Sequence, residues 1–234
     1  SRGLGDVYKR QILRFAPEEG INLYRIKTEA SHILGEGEKE LKIDSKTDLI
    51  LEEKIGKFRK NYYPLTYKVI SADFDFGGRK YIPEIFKDLI NSTYTVKITK
   101  RGKIIGNERL KSYIPEFPEE KVYTGKKWKF KRRTVFPLKD TNIDVEIEGK
   151  YTVEKIEKNK VFIKGEYKIY ALNYYPTKVG LRTESKFIGN GKSSIIYNYK
   201  KSALLELKED ILLNTETKAF FPDFPTQKFK MKHI

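Results

Sequence analysis

The sequence predicts a mainly β protein, built of long antiparallel strands in one or two curved sheets with one short amphipathic helix near 81–91. Three observations predict it. Apolar and polar residues alternate with period two over most of the chain, as they do where one face of a strand is buried and the other wet. Turn-prone clusters such as Lys158-Asn159-Lys160 separate the alternating runs. Only one segment switches to a period near that of a helix.

The elements follow in order. Leu41, Ile43, Leu49 and Leu51 lie at even spacing and should pair with Leu65, Tyr67 and Val69 across the turn-prone stretch 56–61. At 81–91, Ile82, Ile85, Phe86, Leu89 and Ile90 fall on one helical face, and Pro83 and Glu84 suit a first helical turn. Tyr94, Val96 and Ile98 share a strand face opposite Thr95, Lys97 and Thr99, and Lys100-Arg101-Gly102-Lys103 turns the chain into Ile104 and Ile105. Tyr151-Thr152-Val153 enters the turn at 158–160, and Val161, Ile163, Tyr167 and Ile169 return with Lys164, Glu166 and Lys168 opposite. Pro115 and Pro118 lack the donors that a central strand needs, so 113–118 should connect a first half, 12–112, to a second, 113–234. One continuous domain is the other arrangement. Residues 220–225 read as similarly irregular.

Aligned with itself at an offset near 105 residues, the chain suggests an internal duplication. Residues 20–25 parallel 125–130, 48–55 parallel 150–156, 65–69 parallel 165–169, and 93–105 parallel 193–207. Any two alternating strands look alike, so chance similarity stands beside duplication.

The opening run 1–11 has neither period nor capping logic and resembles the translated transposase adapter of sequencing libraries; a basic arm is the alternative. On that reading natural sequence starts near Ile12 in a metagenomic fragment whose own N-terminus lies upstream. The formal charge is +16 over 234 residues; the first eleven carry three basic side chains and one acidic one, leaving +14. Such a charge fits a polyanionic partner, but the joint abundance of Lys, Ile, Asn, Tyr and Phe also fits AT-rich coding. With 16 Tyr and 14 Phe, a packed core is expected rather than disorder. The absence of cysteine excludes disulfides, thiolate zinc sites and a cysteine nucleophile from this chain.

Little here points to catalysis. The two histidines, His32 near the end of an early strand and His233 in an expected tail, give a triad or a multi-histidine metal site almost no material. Gly77-Gly78 and Gly189-Asn190-Gly191 lack the context of a phosphate loop and read as turns. Asp73 and Asp75 share a strand face, but two acids so spaced more often face water; Glu52-Glu53 and Glu119-Glu120 point to opposite faces. No catalytic residue, metal ligand or cofactor is expected.

Two binding readings remain. Tyr24, Tyr67, Tyr94, Tyr151 and Tyr167 could line an apolar groove for a lipid or another hydrophobic molecule, or simply pack a core. Lys126, Lys127, Trp128, Lys129, Lys131, Arg132 and Arg133, with Phe130 among them, could form a basic and aromatic strip for a polyanion, nucleic acid or an anionic membrane surface. The same lysines would also guard an exposed sheet edge against aggregation. Nucleic acid is the weaker expectation.

The opening strand at 20–24, the segment before Tyr94-Thr95-Val96-Lys97-Ile98 with its turn at 100–103, and the stretch 117–128 from Phe117-Pro118 to Trp128 resemble an uncharacterised bacterial family, the domain of unknown function 6263. Lys126 and Lys127 stand where that family more often has an acidic residue and Thr. The resemblance implies a secreted or lipid-anchored protein of the cell envelope and names no activity. The expectation is a non-enzymatic envelope module with a hydrophobic or polyanionic partner.

Overall fold

In the computed structural model, described over residues 11–34, 41–80, 90, 92–106, 113–138, 141–176, 182–221 and 224–233, the chain forms one antiparallel sheet of twelve strands. They are β1 (Gly20–Leu34), β2 (Leu41–Ile55), β3 (Tyr62–Phe76), β4 (Arg79–Lys80), β5 (Thr93–Thr99), β6 (Ile104–Ile105), β7 (Lys127–Leu138), β8 (Thr141–Glu157), β9 (Lys160–Pro176), β10 (Arg182–Asn198), β11 (Ala203–Phe221) and β12 (Phe224–His233). The alternation predicted from sequence is visible in burial. Along β9, Val161, Ile163, Gly165, Tyr167, Ile169 and Ala171 are buried while Lys164, Glu166, Lys168 and Tyr170 are exposed.

The strand order is β6-β5-β3-β2-β1-β12-β11-β10-β9-β8-β7, with β4 beside β3. Each half is a meander, and the first and last strands meet in the middle of the sheet. The middle of the chain therefore supplies both outer edges, β6 and β7. The β1–β12 ladder is short, pairing His32, Ile33 and Leu34 with His233, Lys232 and Met231. Both halves thus contribute to a single sheet, which curls strongly into a half-barrel.

The core lies at one end of that half-barrel, where the turns after β2, β5, β8 and β10 gather. Two irregular segments fill it. In the first, Leu13 and Phe15 are 1% exposed; the Phe15 amide donates to the Lys100 carbonyl at 2.6 Å, and the Ala16 amide donates to Ser202 Oγ at 3.0 Å. The Tyr197 hydroxyl donates to the Arg14 carbonyl at 2.9 Å. This strap ties the first half to the second. The other segment, 113–122, lies between the two edges: Phe117 and Arg101 exchange bonds, and the Trp128 indole donates to the Glu116 carbonyl at 2.9 Å. Gly102 makes the approach of Pro115 feasible. Its φ is +78°, and a Cβ there would lie 2.2 Å from the Pro115 carbonyl oxygen, so only glycine fits.

One expectation falls outside the described residues and several others are corrected. The helix foreseen over 81–91 lies outside the described residues except for Ile90, which bridges Val69, and no helix occurs among the described residues. The stretch 220–225 is not irregular throughout: β11 runs to Phe221 and β12 restarts at Phe224. A proline near a strand start removes no essential donor, which is how β12 accommodates Pro225. His233 is in no loose tail, being the register partner of His32. Gly189 and Gly191 lie within β10 rather than in a turn. Gln11 pairs with Val122 through two backbone bonds, an interaction available to any residue type. The hairpins β2–β3, β5–β6 and β8–β9 form with the turns read from sequence.

Candidate functional site: the concave face of the half-barrel

The five tyrosines singled out by period all sit on the concave side, but only Tyr151 and Tyr167 border its open spaces; Tyr24, Tyr67 and Tyr94 pack with the core. In the first half, register places Asn22, Glu53, Tyr67 and Tyr94 side by side on β1, β2, β3 and β5. Glu53 is 2% exposed, and one of its oxygens accepts from Asn22 Nδ2 at 3.1 Å and from the Tyr24 hydroxyl at 3.2 Å. Tyr67 packs on Tyr94 at 5.3 Å and on Tyr113 at 6.2 Å between ring centroids. Burial, reinforced by the nearby Glu53 charge, pushes the Tyr24 and Tyr94 hydroxyls well above their usual range, so they remain donors.

In the second half, glycines alternate with tyrosines. One row runs Phe130, Gly149, Tyr167, Gly191, Ile211; the next runs Trp128, Tyr151, Gly165, Ser193, Glu209. A ring lying across a strand needs a bare backbone beneath it. A Cβ on Gly191 would stand 2.1 Å from the Tyr167 ring, and one on Gly165 3.0 Å from that of Tyr151. Aromatic cover over strand glycines lets a sheet coil tightly while staying packed. Phe130 stacks on Tyr151 at 4.3 Å, with Trp128 at 5.4 Å from the same ring. The Tyr167 hydroxyl donates to Glu209 at 3.0 Å, and Arg132 Nη2 donates to the Tyr151 hydroxyl at 2.7 Å. Burial first, then the Glu209 charge, raises the Tyr167 hydroxyl.

Two connected spaces open here. A cavity of about 200 Å³ is bounded by Arg132, Tyr151, Tyr167, Glu209 and Ile114. Beside it, and sharing Phe130, Tyr167, Ile169, Glu209 and Ile211 with it, a groove of about 1350 Å³ opens to solvent, with Thr28 and Ala30 of β1 on its far side.

The basic strip divides between the two faces of the sheet, with Lys127, Lys129, Lys131 and Arg133 exposed on the outer one. Strand alternation on β7 separates its parts: Trp128 and Phe130 face the core, and Arg132 turns inward with them. The outward cations are largely matched by carboxylates. Lys126 pairs with Glu120, and Lys131 and Arg133 both pair with Glu146, at 3.2 and 2.8 Å. Lys127 and Lys129 are exposed on the edge strand, where charge discourages edge-to-edge pairing. Similar cross-strand pairs, Arg25–Asp48 at 2.7 Å and Lys150–Glu166 at 2.9 Å, occupy the outer face. Each contributes little to stability but keeps the sheet wet on that side.

The acids noted in sequence divide likewise. Asp73 is exposed, and Asp75 accepts the Gly78 amide at 2.9 Å to close the β3–β4 turn. His32 contacts Ser45 Oγ at 2.9 Å. No group of three or more metal-binding side chains occurs among the described residues. Buried Glu53, half-buried Arg132 and exposed Glu209 were not recognised as facing the concave side, although a signal existed: each stands at an even step within an apolar stripe, as in Leu49, Leu51, Glu53, Ile55.

Interior Glu53 provides a test of this arrangement. Glu53→Ala is expected to cost about 2–4 kcal/mol, because it leaves two donors without an acceptor and opens a void. Glu53→Gln should cost less than about 1.5 kcal/mol, since an acceptor remains. Urea denaturation of both variants measures the difference, and equal costs would mean that volume alone matters.

No family model, curated protein or solved structure matches this chain.

Proposed function

We propose that the protein is a non-enzymatic binding module of the cell envelope that holds a hydrophobic molecule in the concave groove. The observation that carries this reading is the groove itself, about 1350 Å³ of open space along Phe130, Tyr167, Ile169, Ile211 and Leu213. Most β-sheet interiors of this size are filled by their own side chains. Here Gly149, Gly165, Gly189 and Gly191 take four interior positions, and Ile211 remains 42% exposed in the groove wall. An apolar wall left open to water is stabilised by an apolar occupant, at about 25 cal/mol for each Å² covered. The envelope setting rests on the sequence resemblance alone.

The test is native mass spectrometry of the gently purified full chain, followed by titration of the solvent-stripped protein with oleyl alcohol. A bound apolar mass that solvent extraction removes, and that Ile211→Arg abolishes, is the expected result. Stripped protein that takes up no apolar probe would sink the proposal.

A further inference from the structure

We infer that the occupant is an amphiphile with an anionic headgroup, seated on Arg132 and Tyr151, whose apolar chain runs past Tyr167 and Ile211 into the groove. The inference rests on the hydrophobic-groove reading and names its ligand class.

Arg132 is the starting point. It follows Trp128 and Phe130 at even spacing on β7, a position where an apolar side chain is expected, and it is half-buried. A cation on a concave, largely apolar face carries a desolvation cost that an anion nearby offsets. Its neighbours Lys131 and Arg133 both have Glu146, whereas no described carboxylate forms an ion pair with Arg132. The guanidinium is nevertheless held in place. It lies 5.3 Å from the Phe130 centroid and 6.0 Å from that of Tyr151, and spends one donor on the Tyr151 hydroxyl. Four of its five N–H donors have no described protein acceptor.

Tyr151 supplies the complement. Its hydroxyl accepts from Arg132, so its own proton is free to point at a ligand, and burial keeps that proton in place by raising the hydroxyl above its usual range. A fork of N–H groups beside an O–H is the donor set that a carboxylate or phosphate takes. The 200 Å³ cavity in front of this pair fits a headgroup, and its shared wall with the larger groove gives the chain a path. Glu209, in the same cavity lining and bonded to Tyr167, disfavours an anion beside it and so favours the headgroup at Arg132.

The experiment uses Trp128, the one tryptophan of the chain, whose ring lies 5.4 Å from Tyr151, as an intrinsic fluorescence reporter. The 234-residue chain is titrated with oleate, oleoyl lysophosphatidate and oleyl alcohol, which share a chain and differ in headgroup. Either anion should bind about tenfold or more tighter than the alcohol, and whichever binds tighter identifies carboxylate or phosphate as the source. Arg132→Gln should weaken the anions by about tenfold and leave the alcohol within about threefold, while Glu209→Gln should tighten the anions. The unchanged alcohol affinity shows that the groove is still folded. Anion affinities untouched by Arg132→Gln would overturn the headgroup assignment and leave the groove reading standing. Failure of all three ligands to bind would overturn the groove reading itself.

Discussion

Phe15→Ala is expected to destabilise the protein by about 3–5 kcal/mol, the range for removing a fully buried aromatic side chain. Phe15 is 1% exposed and meets Tyr63 edge-on at 5.6 Å between centroids. The void would open where the strap crosses from the β5–β6 turn, through the Lys100 carbonyl, to Ser202 at the β10–β11 turn. Among the described residues the β1–β12 ladder gives three residue pairs, so the strap carries a large share of the joint between the halves. Ile12→Ala, at a residue 44% exposed, should stay within about 0.5 kcal/mol of the parent. Urea unfolding followed by fluorescence measures both. A Phe15→Ala protein as stable as Ile12→Ala would show that the strap merely lies on the half-barrel.

Gly149→Ala is expected to cost about 3 kcal/mol, at the upper end for overpacking. Its Cβ would stand 2.2 Å from the Glu166 carbonyl oxygen and 2.8 Å from Tyr167 Cα. Both are backbone atoms of β9, so relief requires β8 and β9 to separate. For Gly191→Ala the three nearest atoms all belong to the Tyr167 side chain, at 2.1, 2.3 and 2.6 Å. A ring can rotate where a backbone cannot, so that variant should lose about 1–2 kcal/mol. Thermal denaturation of the pair decides the point. Equal losses would indicate that β8 and β9 yield as readily as a side chain does, against the tight coiling inferred from the glycine rows.

Strand alternation made the inner face of the sheet legible in the sequence, though not which part of it borders open space. Tyr67, Tyr94, Tyr151 and Tyr167 fall on the inner face because a period of two leaves no other assignment once Val96, Val153 and Ile163 are placed in the core. The turns at 100–103 and 158–160 were equally readable from their turn-prone residues, and the structure places Gly102, at φ +78°, and Lys158, at φ +50°, in left-handed positions there. The same alternation divides the basic strip at 126–133. A run of cations looks continuous along the chain, but a strand sends neighbours to opposite faces, and Arg132 went inward while Lys131 and Arg133 went out.

By itself, then, the sequence determined the class, the strand faces and the tight turns, all of which depend on residues within a few positions of one another. Tertiary structure alone decided that the first and last strands meet mid-sheet, that β6 and β7 become the edges, and that residues 113–122 lie between them. It also decided which partners the inward-facing charges acquire. Glu53 meets Asn22 and Tyr24, Glu209 meets Tyr167, and Arg132 meets Tyr151 at the cavity wall. Such pairings join residues 19 to 42 positions apart, and period two says which face a side chain takes but not which strand lies beside it.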